Sequence, residues 1–265
     1  MRFFLGTHLP AWLGFSEPWL FVSRRRLADR VSSWPRAVVP YAIDSGGFSE
    51  LSLFGRWTVS PEQYVKEVRL WTEEIGPPQW AAAQDWMCEP DILAKTGLDV
   101  CEHQIRTVAN YLDLIELAPE VPWTPVVQGF TLDEYLACVR LYESQGIDLS
   151  RCPIVGVGSV CRRQDTSSAR AIFRALHGLG LTLHGFGVKS TGLVKALDWL
   201  ASADSMAWSA TARHDDPLTQ CIGRHKNCAN CYEYAVRWWD RLVVDIQCAG
   251  GTVEVQTEQL QDRIM

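Results

Sequence analysis

The sequence predicts an α/β fold of the (β/α)8 TIM-barrel type, with a small helical extension at the C-terminus. Three observations predict it. Short apolar or β-branched runs alternate with amphipathic stretches six or seven times along the 265 residues, the pattern of parallel strands joined by crossovers. Polar residues close many of those runs, namely His8, Asp44, Asp85, Gln128, Ser159, Lys189 and Asp204. A barrel gathers such strand ends around one mouth. Finally, no Gly-x-Gly-x-x-Gly follows the first run, which weakens the competing open dinucleotide-binding sheet.

The expected strands are Phe3 to Leu9, Val38 to Ile43, Trp80 to Gln84, Thr124 to Gln128, Ile154 to Val160, Thr182 to Val188 and Asp204 to Trp208. Between them, Pro61 to Ile75 reads as a helix with Ser60 as N-cap and Pro61 at its first position. Val100 to Leu117, Leu132 to Gln145, Ser167 to Leu179 and Gly192 to Ala201 read similarly. In the third, Leu132, Leu136, Val139 and Leu141 are spaced to form one buried face.

Composition bounds the function classes. Hydrophobic residues make up 47% and charged ones 21%, ordinary globular usage that excludes a disordered or fibrous chain. No run of about 18 apolar residues exists to span a bilayer, and the apolar N-terminus is too soon broken by Pro10 for a signal peptide. Nine mostly scattered cysteines point to reduced thiols and a cytoplasmic location, that of the cell or of a phage's host. The net charge of −6 is uneven: residues 44–150 hold 18 acidic and 6 basic residues, whereas 151–226 hold 10 basic and 5 acidic. An acidic chain of this kind can still gather a basic face for nucleic acid.

The chemistry concentrates at the strand ends. Asp44-Ser45-Gly46-Gly47-Phe48 puts a carboxylate before paired glycines, giving a tight turn with exposed N–H groups. Asp85 follows Gln84 and precedes Trp86, Gln128 precedes Gly129, and Gly158 closes Val155 to Ser159. Asp204 supplies a third carboxylate. Each alone fits an ordinary turn or an N-cap; together, on successive strands, they describe a site.

These motifs, with Phe186-Gly187-Val188 and Ala203-Asp204-Ser205, resemble the ordered motifs of tRNA-guanine transglycosylases over residues 40–235. The chain is shorter than the tRNA enzymes, with no room expected for an RNA-binding domain after residue 240. In Gly185-Phe186-Gly187-Val188-Lys189 and His225-Lys226-Asn227-Cys228-Ala229-Asn230-Cys231 it is more similar to the deazapurine-in-DNA branch. Members of that branch exchange guanine in DNA for a 7-deazaguanine precursor.

The resemblance implies roles. Asp204 would be the nucleophile that forms a covalent aspartyl-sugar ester, and Asp44 the general acid/base. Asp85 would accept from the amino and ring N–H groups of the base, with Gln128 and the backbone around Gly158 on its carbonyl edge. Ser45, Gly46 and Gly129 complete the base-binding set. Phe48, Trp86 and Met206 are sandwich candidates for a flipped base. Lys189, Arg213, Arg162, Arg163 and the run Arg24-Arg25-Arg26 are candidates for phosphate contacts. DNA, guanine and a preQ0-like 7-deazaguanine are the expected partners, with accessory proteins to open the duplex.

One cysteine cluster stands out. Cys221-x6-Cys228-x2-Cys231 encloses His225, a set of four that can close a tetrahedral structural zinc site. Free thiols are the alternative. The related tRNA enzymes carry zinc near this point but use three close cysteines and a distant histidine. Here Lys226 stands where the first close cysteine is expected, and Cys248 is an outside candidate for the fourth ligand. Residues 1–265 are expected to form one barrel domain with a zinc-binding subregion at about 215–247. The competing functions are tRNA-guanine exchange, a non-catalytic zinc module that binds nucleic acid, and a barrel glycosidase acting on sugars.

Overall fold

In the computed structural model, residues 1–15, 17–160, 167–188 and 190–254 are described, Ser190 by its backbone alone. Nine short parallel strands are found among them: β1 Arg2–Thr7, β2 Leu20–Ser23, β3 Tyr41–Asp44, β4 Ala81–Ala82, β5 Trp123–Thr124, β6 Val126–Val127, β7 Val155–Val157, β8 Leu183–Gly185 and β9 Ser202–Ser205. Their lateral order is β5-β4-β3-β2-β1-β9-β8-β7-β6. Only Pro125 separates β5 from β6. A proline cannot donate to a ladder, so one barrel stave is counted as two: β5 pairs with β4, and β6 with β7. The ring therefore has eight staves, the number of a (β/α)8 barrel.

Seven expected strands are present, within a few residues at their ends. The eighth stave is β2, which the periodicity misses. It is four residues long, and the crossover before it is only a 3-10 turn at Pro10–Gly14, so the strand-helix alternation is broken there. The stave is fixed by its neighbours: Leu20, Phe21 and Val22 pair with β1, and Ser23 lies opposite Asp44.

The helices are α1 Arg24–Ala28, α2 Gly47–Phe54, α3 Pro61–Glu74, α4 Pro90–Thr96, α5 Val100–Leu117, α6 Leu132–Ser144, α7 Ser167–Gly178, α8 Ser190–Val194, α9 Ala207–Thr211 and α10 Tyr232–Cys248. Ser60 caps α3 by accepting from the Gln63 N–H, with Pro61 at the first position. In α6 the buried face is Tyr135, Cys138, Val139 and Tyr142, turned from the predicted leucine stripe because the aromatic side chains reach the barrel wall. The helix expected at Gly192 to Ala201 gives way after Val194 to turns, in which Ala196 N–H donates to Leu193 O and Trp199 N–H to Ala196 O, that lead into β9. No helix among the described residues is long and apolar enough to cross a membrane.

Strand period sets the two faces of the wall. Phe3, Leu5, Tyr41, Ile43, Leu183 and Ala203 face the helix layer in the main core. Phe4, Phe21, Ala42, Trp80 and Ala82 fill the barrel interior. By the same alternation Asp44 follows Ala42, and Asp204 follows Ser202, on the inward face.

Candidate active site

A cavity of about 210 Å³ opens at the C-terminal ends of the strands. Asp44, Asp85 and Asp204, remote in sequence, all line it, with Ser45, Phe48, Gly158 and Met206. This is the mouth where a barrel keeps its active site. It is smaller than the ~300–1,000 Å³ of drug-sized pockets, a scale that suits one bicyclic base. A larger cavity of about 610 Å³ lies at the opposite end of the barrel. Its one carboxylate, Glu254, is held by Arg2 at 2.8 Å.

Burial governs the charges. It pushes the Asp44 carboxyl up to about 7, helped by the nearby Asp204 and Asp85, against hydrogen bonds from the Gly46 N–H and the Ser23 hydroxyl. Asp85 rises to about 6 for the same first reason, while hydrogen bonds from Gln128, its own backbone and Ser45 restrain it. Asp44, Asp85, Glu89 and Asp204 share one cavity, and the neighbouring negative charge adds to the rise of Asp44 and Asp85. Asp204 Oδ1 accepts from the Gly187 N–H at 2.9 Å and from His184 Nε2 at 3.2 Å. The buried His184 ring is enclosed by Phe4, Phe21, Trp80 and Phe186. Its Nδ1 lies 2.8 Å from Ser202 Oγ.

The Asp44-Ser45-Gly46-Gly47 turn is rigidly supported. Gly46 takes φ +81°, a left-handed conformation that favours glycine. A Cβ on Gly47 would lie 3.0 Å from Asp85 Oδ1, so the bare backbone lets β3 and β4 loops close on each other. Glu50 on α2 is buried and accepts from Arg25 and from the Thr58 N–H at 2.8 and 3.0 Å. Arg24 is buried too, bonded to Glu67 at 2.6 Å and 3.6 Å from Glu50. That corrects its expected phosphate role, because both faces of the guanidinium fork are occupied inside the protein. Of the other phosphate candidates, Arg213 is exposed beyond α9, whereas Arg162, Arg163 and Lys189 lie outside the described residues.

Some base-site candidates sit behind the wall. Gln128 is fully buried; its Nε2 donates to Asp85 Oδ2 at 2.5 Å and its Oε1 accepts from Ser159 Oγ at 2.6 Å. A Cβ on Gly158 would meet Gln128 Nε2 at 2.1 Å, so any other residue there would have to displace the amide. The Gly158 N–H donates to Val127 O, and its carbonyl accepts from the Tyr135 hydroxyl. Gly129 packs against α6. Trp86 packs with Leu51, Met87 and Ile92 under an Arg106 guanidinium 4.7 Å from its ring. It is a core ring and does not line the cavity. Phe48 and Met206, by contrast, are 43% and 38% exposed on the cavity.

The structure adds residues that patterns missed. Ser159 and Glu89 both line the cavity and lie 2.8 Å apart. Ser159 has φ +54°, a conformation costing a non-glycine residue about 1–3 kcal/mol and typical of functional sites. Its polarity at a strand end was visible; Glu89 carried no signal at all. His184 looked like any core histidine.

The metal candidates come together below α10. The ligand atoms of Cys221, His225, Cys228 and Cys231 lie within 4.8 Å of one another. Cys221 and Cys231 sulfurs are 3.8 Å apart, and His225 Nε2 is 3.3 Å from the Cys228 sulfur. Tetrahedral Zn–S bonds of ~2.3 Å set sulfurs about 3.8 Å apart, so the set fits one closed structural ion. Cys248 is exposed at the far end of α10 and is not in the set. The cluster is tied to the barrel where Ser209 Oγ donates to Ala229 O at 2.9 Å and His8 Nε2 meets Asn230 Oδ1 at 2.6 Å.

Comparison with known proteins gives the family. Residues 1–260 match the family described as DpdA, DeoxyPurine in DNA protein A. No curated protein matches the chain. Among solved structures, a Sinorhizobium meliloti protein described as an isomerase, in an open loop conformation, is similar at 10% identity with a TM-score of 0.37. The similarity covers 72% of this chain and 43% of that one, so this chain spans less than half its length.

Proposed function

The chain belongs to the DpdA family, and from that premise we propose that it exchanges guanine in DNA for a 7-deazaguanine base of the preQ0 type. One observation carries the reading: Asp44, Asp85 and Asp204 converge on a cavity of about 210 Å³. Base exchange breaks the bond between the sugar's anomeric carbon and the base nitrogen. Its transition state has oxocarbenium character, which a carboxylate stabilises and then captures, as in retaining glycosidases.

Asp204 is the nucleophile in this reading. Gly187 N–H and His184 hold Oδ1, which leaves Oδ2 to attack. Asp44, raised to about 7, is poised to protonate the departing guanine and then to take a proton from the incoming base. Asp85 accepts from the amidine-like edge shared by guanine and 7-deazaguanine. Adenine presents no such paired donors and would leave Asp85 unmet, at a cost of about 1–3 kcal/mol. Phe48, Phe186 and Met206 form the walls for the extruded ring. Cys221, His225, Cys228 and Cys231 would hold a metal that fastens the C-terminal segment and supplies no step of the chemistry.

Trapping the enzyme on duplex DNA tests the mechanism. A covalent protein-DNA adduct that Asp204→Asn abolishes is expected, with labelled guanine entering DNA and not tRNA. Label entering only tRNA would overturn the substrate, and no adduct with either polymer would overturn the mechanism.

A further inference from the structure

The cavity at the N-terminal ends of the strands measures about 610 Å³ against about 210 Å³ for the active-site cavity, and the two share no lining residue. A barrel core is ordinarily filled by side chains, whereas this space falls within the ~300–1,000 Å³ of small-molecule sites. Its walls are largely apolar, with Phe4, Trp80, Tyr111 and Trp123 beside Ile115 and Ile154. Two buried hydroxyl residues also line it. Thr124 is 1% exposed and stands opposite Ala82 of the barrel interior, so its side chain is on the inward face of β5. Among the described residues the Thr124 hydroxyl has no hydrogen-bond partner. Ser202 is 2% exposed, and its Oγ meets His184 Nδ1 at 2.8 Å. A hydroxyl has one donor and two acceptor positions, so Ser202 keeps capacity for a second partner. At the same end of the barrel the Trp19 indole N–H is buried without a partner, its ring 5.6 Å from both Phe4 and the Arg2 guanidinium.

The lining restricts the chemistry of an occupant. Its charged side chains, Arg2 and Glu254, pair with each other at 2.8 Å, and the Met1 amino group donates to Thr252 O at 2.7 Å. An ionised ligand would therefore lose its hydration without gaining an unpaired counter-charge, a costly exchange. Aromatic walls suit a flat ring, the two hydroxyls suit a partner that donates and accepts, and the volume leaves room for a sugar beside a base. We propose that this cavity is a second binding site, for an uncharged nucleoside, with Thr124 and Ser202 as its hydrogen-bonding residues. The inference stands apart from the base-exchange reading, since no residue used there lines this cavity.

Fluorine NMR of the full chain labelled with fluorotryptophan tests the site, with Trp80→Phe and Trp123→Phe assigning the two signals. Deoxyadenosine is the probe, because its base lacks the donor edge assigned to Asp85, and guanine is added to fill the active-site cavity. Saturable shifts of the Trp80 and Trp123 signals are expected. Thr124→Val keeps the shape of the side chain and should weaken binding about five-fold, the loss of one ordinary hydrogen bond. Ala201→Phe, at the exposed rim, should abolish it. Melting curves show that each variant is folded, and if Thr124→Val is not, Ala201→Phe decides alone. No response in the wild type, or a response that the variants leave unchanged, overturns the proposal. Indole binding as tightly as deoxyadenosine overturns the nucleoside class. If guanine binds nowhere, the base-exchange reading falls, while the Trp80 and Trp123 signals still decide this site.

Discussion

His184 Nε2 lies 3.2 Å from Asp204 Oδ1 inside an aromatic cage, with its other nitrogen 2.8 Å from Ser202 Oγ. Nε2–H donates to Asp204, and the Ser202 hydroxyl pairs with Nδ1. The ring thereby fixes which carboxylate oxygen faces the cavity. Replacing His184 with Leu removes a hydrogen bond to a charged group, worth about 1.5–3 kcal/mol. Adduct formation should slow about 10- to 150-fold by that figure, with guanine affinity retained. Single-turnover trapping beside equilibrium binding checks the split.

The two shifted carboxyls predict a narrow pH profile for guanine release from DNA. Asp85 must be ionised to accept, so the rate rises through about 6. Asp44 must be protonated to donate, so it falls through about 7. The limbs belong to the coupled cluster as a whole. Asp44→Asn should abolish the alkaline limb with most of the rate, and a single-turnover pH series reads it.

Stability should depend on pH in the opposite sense to the usual surface carboxylate. Asp44 has its folded value raised from 3.8 to about 7, so folding favours its protonated form. That contribution is complete below 3.8 and is lost as pH rises through about 7. Asp44→Asn should therefore stabilise the protein above pH 7, by about 2–4 kcal/mol from the conversion of pKa to free energy. The gain should vanish in acid. Denaturant titrations at acid and alkaline pH measure the difference.

Gly158→Ala tests the packing behind the wall. The new Cβ would meet Gln128 Nε2 at 2.1 Å, forcing the amide off Asp85. Overpacking of this kind costs about 1–3 kcal/mol. Guanine binding should weaken along with thermal stability, as calorimetry and melting curves would show.

Metal analysis of the purified protein should give one zinc per chain, absent in Cys228→Ser. A closed site contributes folding free energy. Chelation should therefore lower the melting temperature and expose residues 219–232 first in hydrogen exchange. Guanine binding should persist, because the cavity residues are not ligands.

Legibility followed the range of the interactions. The Asp44-Ser45-Gly46-Gly47 turn, the capped α3 helix and the cysteine spacing are local, and each is readable over a few residues. Trp86 and Arg24 misled because an aromatic after a strand, or an arginine in a run, looks alike whether it ends in the core or in solvent. Here Leu51 and Ile92 surround the first, and Glu67 with Glu50 holds the second.

By itself the sequence determined the barrel, its order of strand-end carboxylates and a cluster of three cysteines and a histidine that could hold a metal, since periodicity and spacing along the chain encode them. Only the tertiary structure decided that β2 completes the ring, that His184 reaches Asp204, and that Ser159 joins Gln128 to Glu89. These are contacts between staves. Closing the barrel creates them, and no pattern within one stave records its neighbour.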